Sequence, residues 1–170
     1  DPVSRHLWYA GGTYRSDNQF FGTNAGYTYN RYLTPFFIGY GDFSVNYGNL
    51  FGTGANFFEE RRRGFIGMAI PIPKQRVTFH YFFEDRRAQS GLPAGVTLST
   101  LGHYAGLFAQ YSFRTIDKTA AGISPEEGQT ATANFEISDS RLGSAGQLQQ
   151  RLVWGDLRSF VEIPFLPHQV

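Results

Sequence analysis

Two acidic–basic runs hold the densest chemistry in the chain. Glu59-Glu60 leads into Arg61-Arg62-Arg63, and Glu84-Asp85 leads into Arg86-Arg87. A guanidinium fork matches phosphate oxygens two at a time, so Arg61, Arg62 and Arg63 are candidates for lipid phosphates at a membrane rim. The same residues also read as a self-paired charge cluster at a strand end. The run from Glu84 to Arg87 carries the same two readings. Paired carboxylates do acid–base work only when both reach one site. Neighbours on a strand point to opposite faces, so neither run suggests catalysis. His6, His80, His103 and His168 are scattered, without the close spacing of metal ligands. No Gly-x-Ser-x-Gly elbow is present. Gly52-Thr53-Gly54 has no following Lys and reads as a loop rather than a phosphate cradle. These residues point to a protein that is not an enzyme and carries no cofactor.

The elements that hold these residues are strands. Val77, Phe79, Tyr81 and Phe83 alternate with Thr78, His80, Phe82 and Glu84. Ala105, Leu107, Ala109, Tyr111 and Phe113 alternate with polar or small residues, as do Ala131, Ala133, Phe135 and Ile137. Ala25, Tyr27 and Tyr29 alternate with Asn24, Gly26 and Thr28. A period of two puts one set on each face of a strand, and no segment keeps a helical period. The pattern predicts an all-β chain with eight strands near 5–15, 20–32, 36–48, 61–71, 76–86, 103–115, 128–138 and 146–164. Most run to about 10 residues, longer than a common strand and long enough to cross a bilayer at a tilt. In the eighth, Leu148, Leu152 and Trp154 share one face while Leu157, Val161 and Ile163 share the other. A bulge near Gly155-Asp156, or two shorter strands with a kink, would reconcile them.

The composition narrows the class. The chain has 170 residues, enough for one domain with a sizeable core, and a net charge of +1. Charged residues make up 17%, against about 25% in an ordinary globular domain. Aromatics, also 17%, exclude a disordered chain. The absence of Cys excludes a disulfide scaffold and a thiolate zinc site. No domain-wide basic excess marks a nucleic-acid partner. Lys74 and Lys118 are the only lysines among 15 basic residues, which is unusual for a surface bathed in water. No apolar run is long enough for a spanning helix.

The connections alternate in length. Leu33-Thr34-Pro35 and Pro71 to Gln75 are short, whereas Gly48 to Glu60 and Arg87 to Gly102 are long and rich in Gly, Ser and Asn. Short turns on one rim and long loops on the other is the pattern of an antiparallel up-and-down transmembrane barrel. Ser16 to Gln19 and Ile116 to Gly128 fit it less well. Aromatics near strand ends, such as Phe20, Phe21, Phe36, Phe37, Phe57 and Phe58, suit the two interfacial girdles. In a membrane barrel the polar face lines the lumen. That makes His80, Glu84, Gln110, Arg114, Asn134 and Glu136 the candidate lumen-lining residues. In a soluble barrel the apolar face would instead form the core.

Several phrases carry a family resemblance. Phe58 to Gly64 runs into Gly67-Met68-Ala69-Ile70-Pro71-Ile72-Pro73. Further on come Ile123-Ser124-Pro125-Glu126-Glu127-Gly128, Leu142-Gly143-Ser144, Trp154-Gly155-Asp156-Leu157-Arg158 and Pro164-Phe165-Leu166-Pro167-His168. In this order they resemble the barrel of the bacterial surface antigen family, the superfamily of the outer-membrane protein assembly factor, over nearly the whole chain. The closest likeness is to members whose barrel follows a periplasmic propeller. The resemblance implies a location in the outer membrane of a Gram-negative bacterium and a barrel of about 16 strands, of which 1–170 is an internal segment of about eight. It also implies an N-terminal periplasmic domain, membrane lipids as partners, and work on insertion or translocation of client outer-membrane proteins. Arg63-Gly64-Phe65 matches the family's lumen-binding motif in letters only, since the family places that loop later. A passive pore and a soluble barrel holding an apolar ligand are the alternatives.

Overall fold

The computed structural model describes residues 5–31, 33–115 and 128–160. They form one eight-stranded antiparallel meander: β1 (His6–Arg15), β2 (Phe20–Tyr29), β3 (Phe36–Asn46), β4 (Phe58–Ile72), β5 (Gln75–Ser90), β6 (Gly102–Arg114), β7 (Gly128–Ser138) and β8 (Gln150–Phe160). Each strand pairs with its sequence neighbours, and β1 and β8 are the open edges of the described sheet. The all-β, up-and-down architecture expected from the period of two is what the chain adopts. Among the described residues no helix is long and apolar enough to cross a membrane, which does not bear on strands.

β4 and β5 are the longest strands, at 15 and 16 residues, and both outrun their expected ends at 61 and 86. The acidic–basic runs are strand rather than rim. In extended chain, residues two apart share a face. The order acid-acid-base-base therefore makes one ion pair per face. Glu59 pairs with Arg61 at 2.5 Å and Glu60 with Arg62 at 2.7 Å. Glu84 pairs with Arg86 at 2.5 Å, and Asp85 pairs with Arg87. The two runs lie side by side, with Arg62 opposite Asp85 and Glu60 opposite Arg87. Opposite charges across a ladder stabilise it, typically by about 0.2–1 kcal/mol.

The expected bulge in β8 is absent. Its register with β7 runs unbroken from Ser138↔Gln150 to Gly128↔Phe160. Leu152 and Trp154 stay on the polar face because Trp154 packs on Phe108, with ring centroids 5.9 Å apart. Val161 and Ile163 lie outside the described residues. The register shift the hairpin of β4 and β5 does contain lies between Phe58 and Glu59, which face Ser90 and Ala88. Gln89 is the extra residue, and its side chain bonds Ser44 and Asn18.

That contact explains the short turn at 16–19, which stands on the rim of long loops. Asn18 reaches Ser44 at 2.6 Å and Gln89 at 3.1 Å, so the turn folds over the end of the sheet. On the opposite rim Pro73-Lys74 alone joins β4 to β5, with Lys74 at φ 63. Between β7 and β8 a 3-10 turn, Ser140–Leu142, ends at Gly143 with φ 104. The chain then runs along the upper edge of β6, where Ala145 N–H donates to His103 and Ser144 bonds Ala105. This sends Leu148 onto Phe82 and Tyr104, the buried cluster of the sheet.

Candidate functional site

The two faces differ in kind. One carries Ile66, Met68, Ile70, Phe79, Tyr81, Phe83, Leu107, Tyr111 and Phe135, all exposed. The other carries Glu59, Glu84, Asn134, Glu136 and Ser138, all buried, around Phe82, which is fully buried. The polar face is concave. In a flat sheet β4 and β7 would stand about 14 Å apart. Yet Arg63 on β4 reaches Glu136 on β7 at 2.8 Å, and curling of the sheet closes the gap.

An ionic network occupies the concave face near the long loops. Glu84 accepts from Arg86 at 2.5 Å with one oxygen and from Arg63 at 3.3 Å with the other. Arg63 bridges Glu84 and Glu136. Arg61 donates to Glu59 at 2.5 Å and to the Tyr47 hydroxyl. Arg86 adds Gln150 at 3.3 Å. Two guanidiniums also lie over aromatic rings, Arg63 over Phe82 and Arg86 over Tyr104, each 3.9 Å from the centroid. Buried carboxylates are tolerated because each is paired and hydrogen-bonded.

Below the network runs an aromatic belt. Phe65 lies 5.5 Å from His80, which stacks on Phe108 at 4.5 Å, which in turn meets Trp154. Further toward the short turns the face turns to hydroxyls and amides. Gln110 donates to Asn134 at 2.7 Å, directly across the ladder, and Asn134 donates to the Trp154 carbonyl at 3.4 Å.

All six candidate lumen residues fall on this face by register. The structure brings Glu84 and Glu136 together through Arg63, sets Gln110 against Asn134, and places His80 in the belt. Arg114 stands apart near the short turns; its backbone N–H donates to the Lys74 carbonyl at 2.8 Å and its side chain is exposed. The arginine triplet splits. Arg61 and Arg63 turn inward, and Arg62 stands on the outer face between Asp42 and Asp85, paired with Glu60. Glu59 and Arg86 stand in the two acidic–basic runs but not among the candidate lumen residues, and Gln150 is a member of the network that no sequence pattern marks. The i, i+2 spacing of acid and base was the available signal for the first two.

Among the described residues no three His, Asp or Glu side chains are grouped to hold a metal ion. Comparison with protein-family models, with curated proteins and with solved structures finds no match to this chain.

Proposed function

We propose that this chain is part of the wall of a non-enzymatic outer-membrane β-barrel of the surface antigen type. The observation that carries the reading is the inversion of its faces. Soluble sheets bury their apolar face, whereas a large exposed apolar face beside a polar, buried one is the arrangement of a barrel solvated by lipid. From the row of Tyr40, Gly64 and Phe83 down to Ile72, the outer faces of β3 to β5 carry no charge. Asp42, Glu60, Arg62, Asp85 and Arg87 begin only above it. Strands of 10 to 16 residues suit a tilted crossing. A soluble barrel around an apolar ligand would have to use the outer face, where a cleft of about 710 Å³ is lined by Trp8, Ile38, Tyr40, Ile66, Tyr81 and Phe83. That reading draws less from the fold, because the side on which the ionic network closes is the charged one.

In this reading membrane lipids cover the outer face, and Arg62 is the one member of the triplet placed to meet a headgroup. Further strands would complete a larger barrel beyond β1 and β8. A role in insertion or translocation of client proteins would use pairing at a sheet edge, where main-chain groups add a strand. The passive-pore alternative draws less from the site, since Glu84 and Glu136 are held by arginines rather than left as free lumen charges.

The test is fractionation of the full-length gene product in its own envelope, with heat-modifiable gel mobility. Partition to the outer membrane with a mobility shift supports the proposal. A soluble product without a shift would overturn it.

A further inference from the structure

We infer that the concave face holds a binding site for a small organic oxyanion, a carboxylate or phosphate joined to a planar apolar body. The site is a cavity of about 380 Å³ between the ionic network and the aromatic belt. Its upper wall includes Arg61 and Arg86, and its lower wall Phe108 and Trp154. Because it lies on the concave face, the inference does not depend on what covers the outer one.

Arg61 and Arg86 are partners in the ladder, directly opposite each other on one face. Like charges in that position repel. Only 10% of the Arg86 side chain and 21% of the Arg61 side chain are exposed, so water does little to screen them. Each spends Nε on its own carboxylate, Glu84 or Glu59, and Nη2 on a neutral acceptor, Gln150 or the Tyr47 hydroxyl. Neither Nη1 has a partner among the described residues. Guanidinium donors in a partly buried site call for acceptors, and an oxyanion between two forks supplies them.

The lower wall selects the remainder of the ligand. His80 and Phe108 stack with an interplanar angle of 20°, and Trp154 leans toward Phe108 at 52°. Aromatic faces set at an angle accept a flat apolar body. A pocket with an apolar floor and a few convergent polar groups has the build of a small-molecule site. Glu136 also lines the cavity but is taken up by Arg63, so the donors left open there are those of Arg61 and Arg86. Bare phosphate would use only the upper wall, and an apolar amine would find no open acceptor pair to match it.

The experiment is calorimetric titration of the full-length protein in detergent with phenyl phosphate, inorganic phosphate and benzylamine. Phenyl phosphate is expected to bind saturably, inorganic phosphate more weakly, and benzylamine not at all. Arg61→Gln leaves the Glu84–Arg86 pair in place and is expected to weaken phenyl phosphate about tenfold or more. Trp154→Ala does not touch the ion pairs. It should weaken phenyl phosphate while leaving inorganic phosphate unchanged, which keeps the inference testable if the arginine variant fails to fold. No saturable phenyl phosphate binding, equal binding of benzylamine, or unchanged affinity in Trp154→Ala would each overturn it.

Discussion

Arg63 on β4 and Glu136 on β7 meet at 2.8 Å although two strands separate them. The pair ties the curl of the sheet to its charge network, because Arg63 also holds Glu84. Glu84 is the centre of that network, with both oxygens engaged and its side chain 1% exposed. Removing its charge strips Arg86 of its carboxylate partner and leaves Arg63 only Glu136. Breaking a buried pair costs about 3–5 kcal/mol. Glu84→Gln is expected near the low end of that range, since Arg63 is partly exposed. Glu136→Gln leaves Arg63 its second carboxylate and is expected to cost about 1–2 kcal/mol. Urea unfolding of each variant in the same detergent checks the order. Equal losses would mean that Glu84 is not the shared counter-ion.

The outer face sets a second expectation. Leu107 lies mid-strand on that face, in line with Tyr81 and Ile137, and Ser112 lies on the concave face of the same strand. If lipid covers the outer face, Leu107→Arg should cost about 2–4 kcal/mol and Ser112→Arg about 1 kcal/mol or less. Folding titrations into liposomes read both. The reverse order would show that the apolar face points away from lipid.

Close backbone approach supplies a third. A Cβ at Gly106 would stand 2.1 Å from the carbonyl oxygen of Ile137 on the neighbouring strand, and backbone cannot swing aside. At Gly41 the nearest atom is 4.0 Å away. Gly106→Ala should therefore destabilise by about 1–3 kcal/mol through forced overpacking, whereas Gly41→Ala should be close to neutral. Thermal melts in detergent distinguish them, and similar midpoints for both would contradict the close approach.

The strands were legible because a period of two is a local signal: the Val77 to Phe83 alternation survives unchanged in β5. The ends of β4 and β5 were not: Glu59-Glu60 and the run from Arg87 to Ser90 lie next to long Gly- and Ser-rich connections, and Glu is weakly depleted in strands. Only their pairing at i, i+2 offsets that preference, and pairing is a property of two residues together. The triplet Arg61-Arg62-Arg63 shows the same limit. Alternation alone divides it between the faces, but that Arg63 meets Glu136 depends on how far the sheet curls, which no local pattern encodes. In β8 the apolar residues change sides at Gly155-Asp156 without a bulge: Trp154 is held inward by Phe108, a contact 46 residues distant in sequence, while Leu157 keeps its place on the outer face. The sequence pattern extends β8 back to 146, yet residues 144–148 serve the edge of β6 instead.

That edge gives the last expectation. Above Gly106, β6 has no strand partner on the β7 side, since the ladder with β7 ends at the Gly106↔Ser138 pair. Ser144 takes the partner's place: its hydroxyl accepts from the Ala105 N–H at 2.8 Å and donates to the Ala105 carbonyl at 2.8 Å. One side chain thus satisfies both main-chain groups of a buried residue, as a neighbouring strand would. Ser144→Ala strips both, and an unsatisfied buried polar group costs about 1–3 kcal/mol. The loss should be local first. Hydrogen exchange at the Ala105 amide should quicken markedly while amides in the centre of β5 keep their protection, because the β5 ladder does not pass through Ser144. Unchanged exchange at Ala105 would mean that the loop, and not the hydroxyl, shields the edge. Then Ala145, whose N–H donates to His103 at 2.9 Å, would be the residue that holds it.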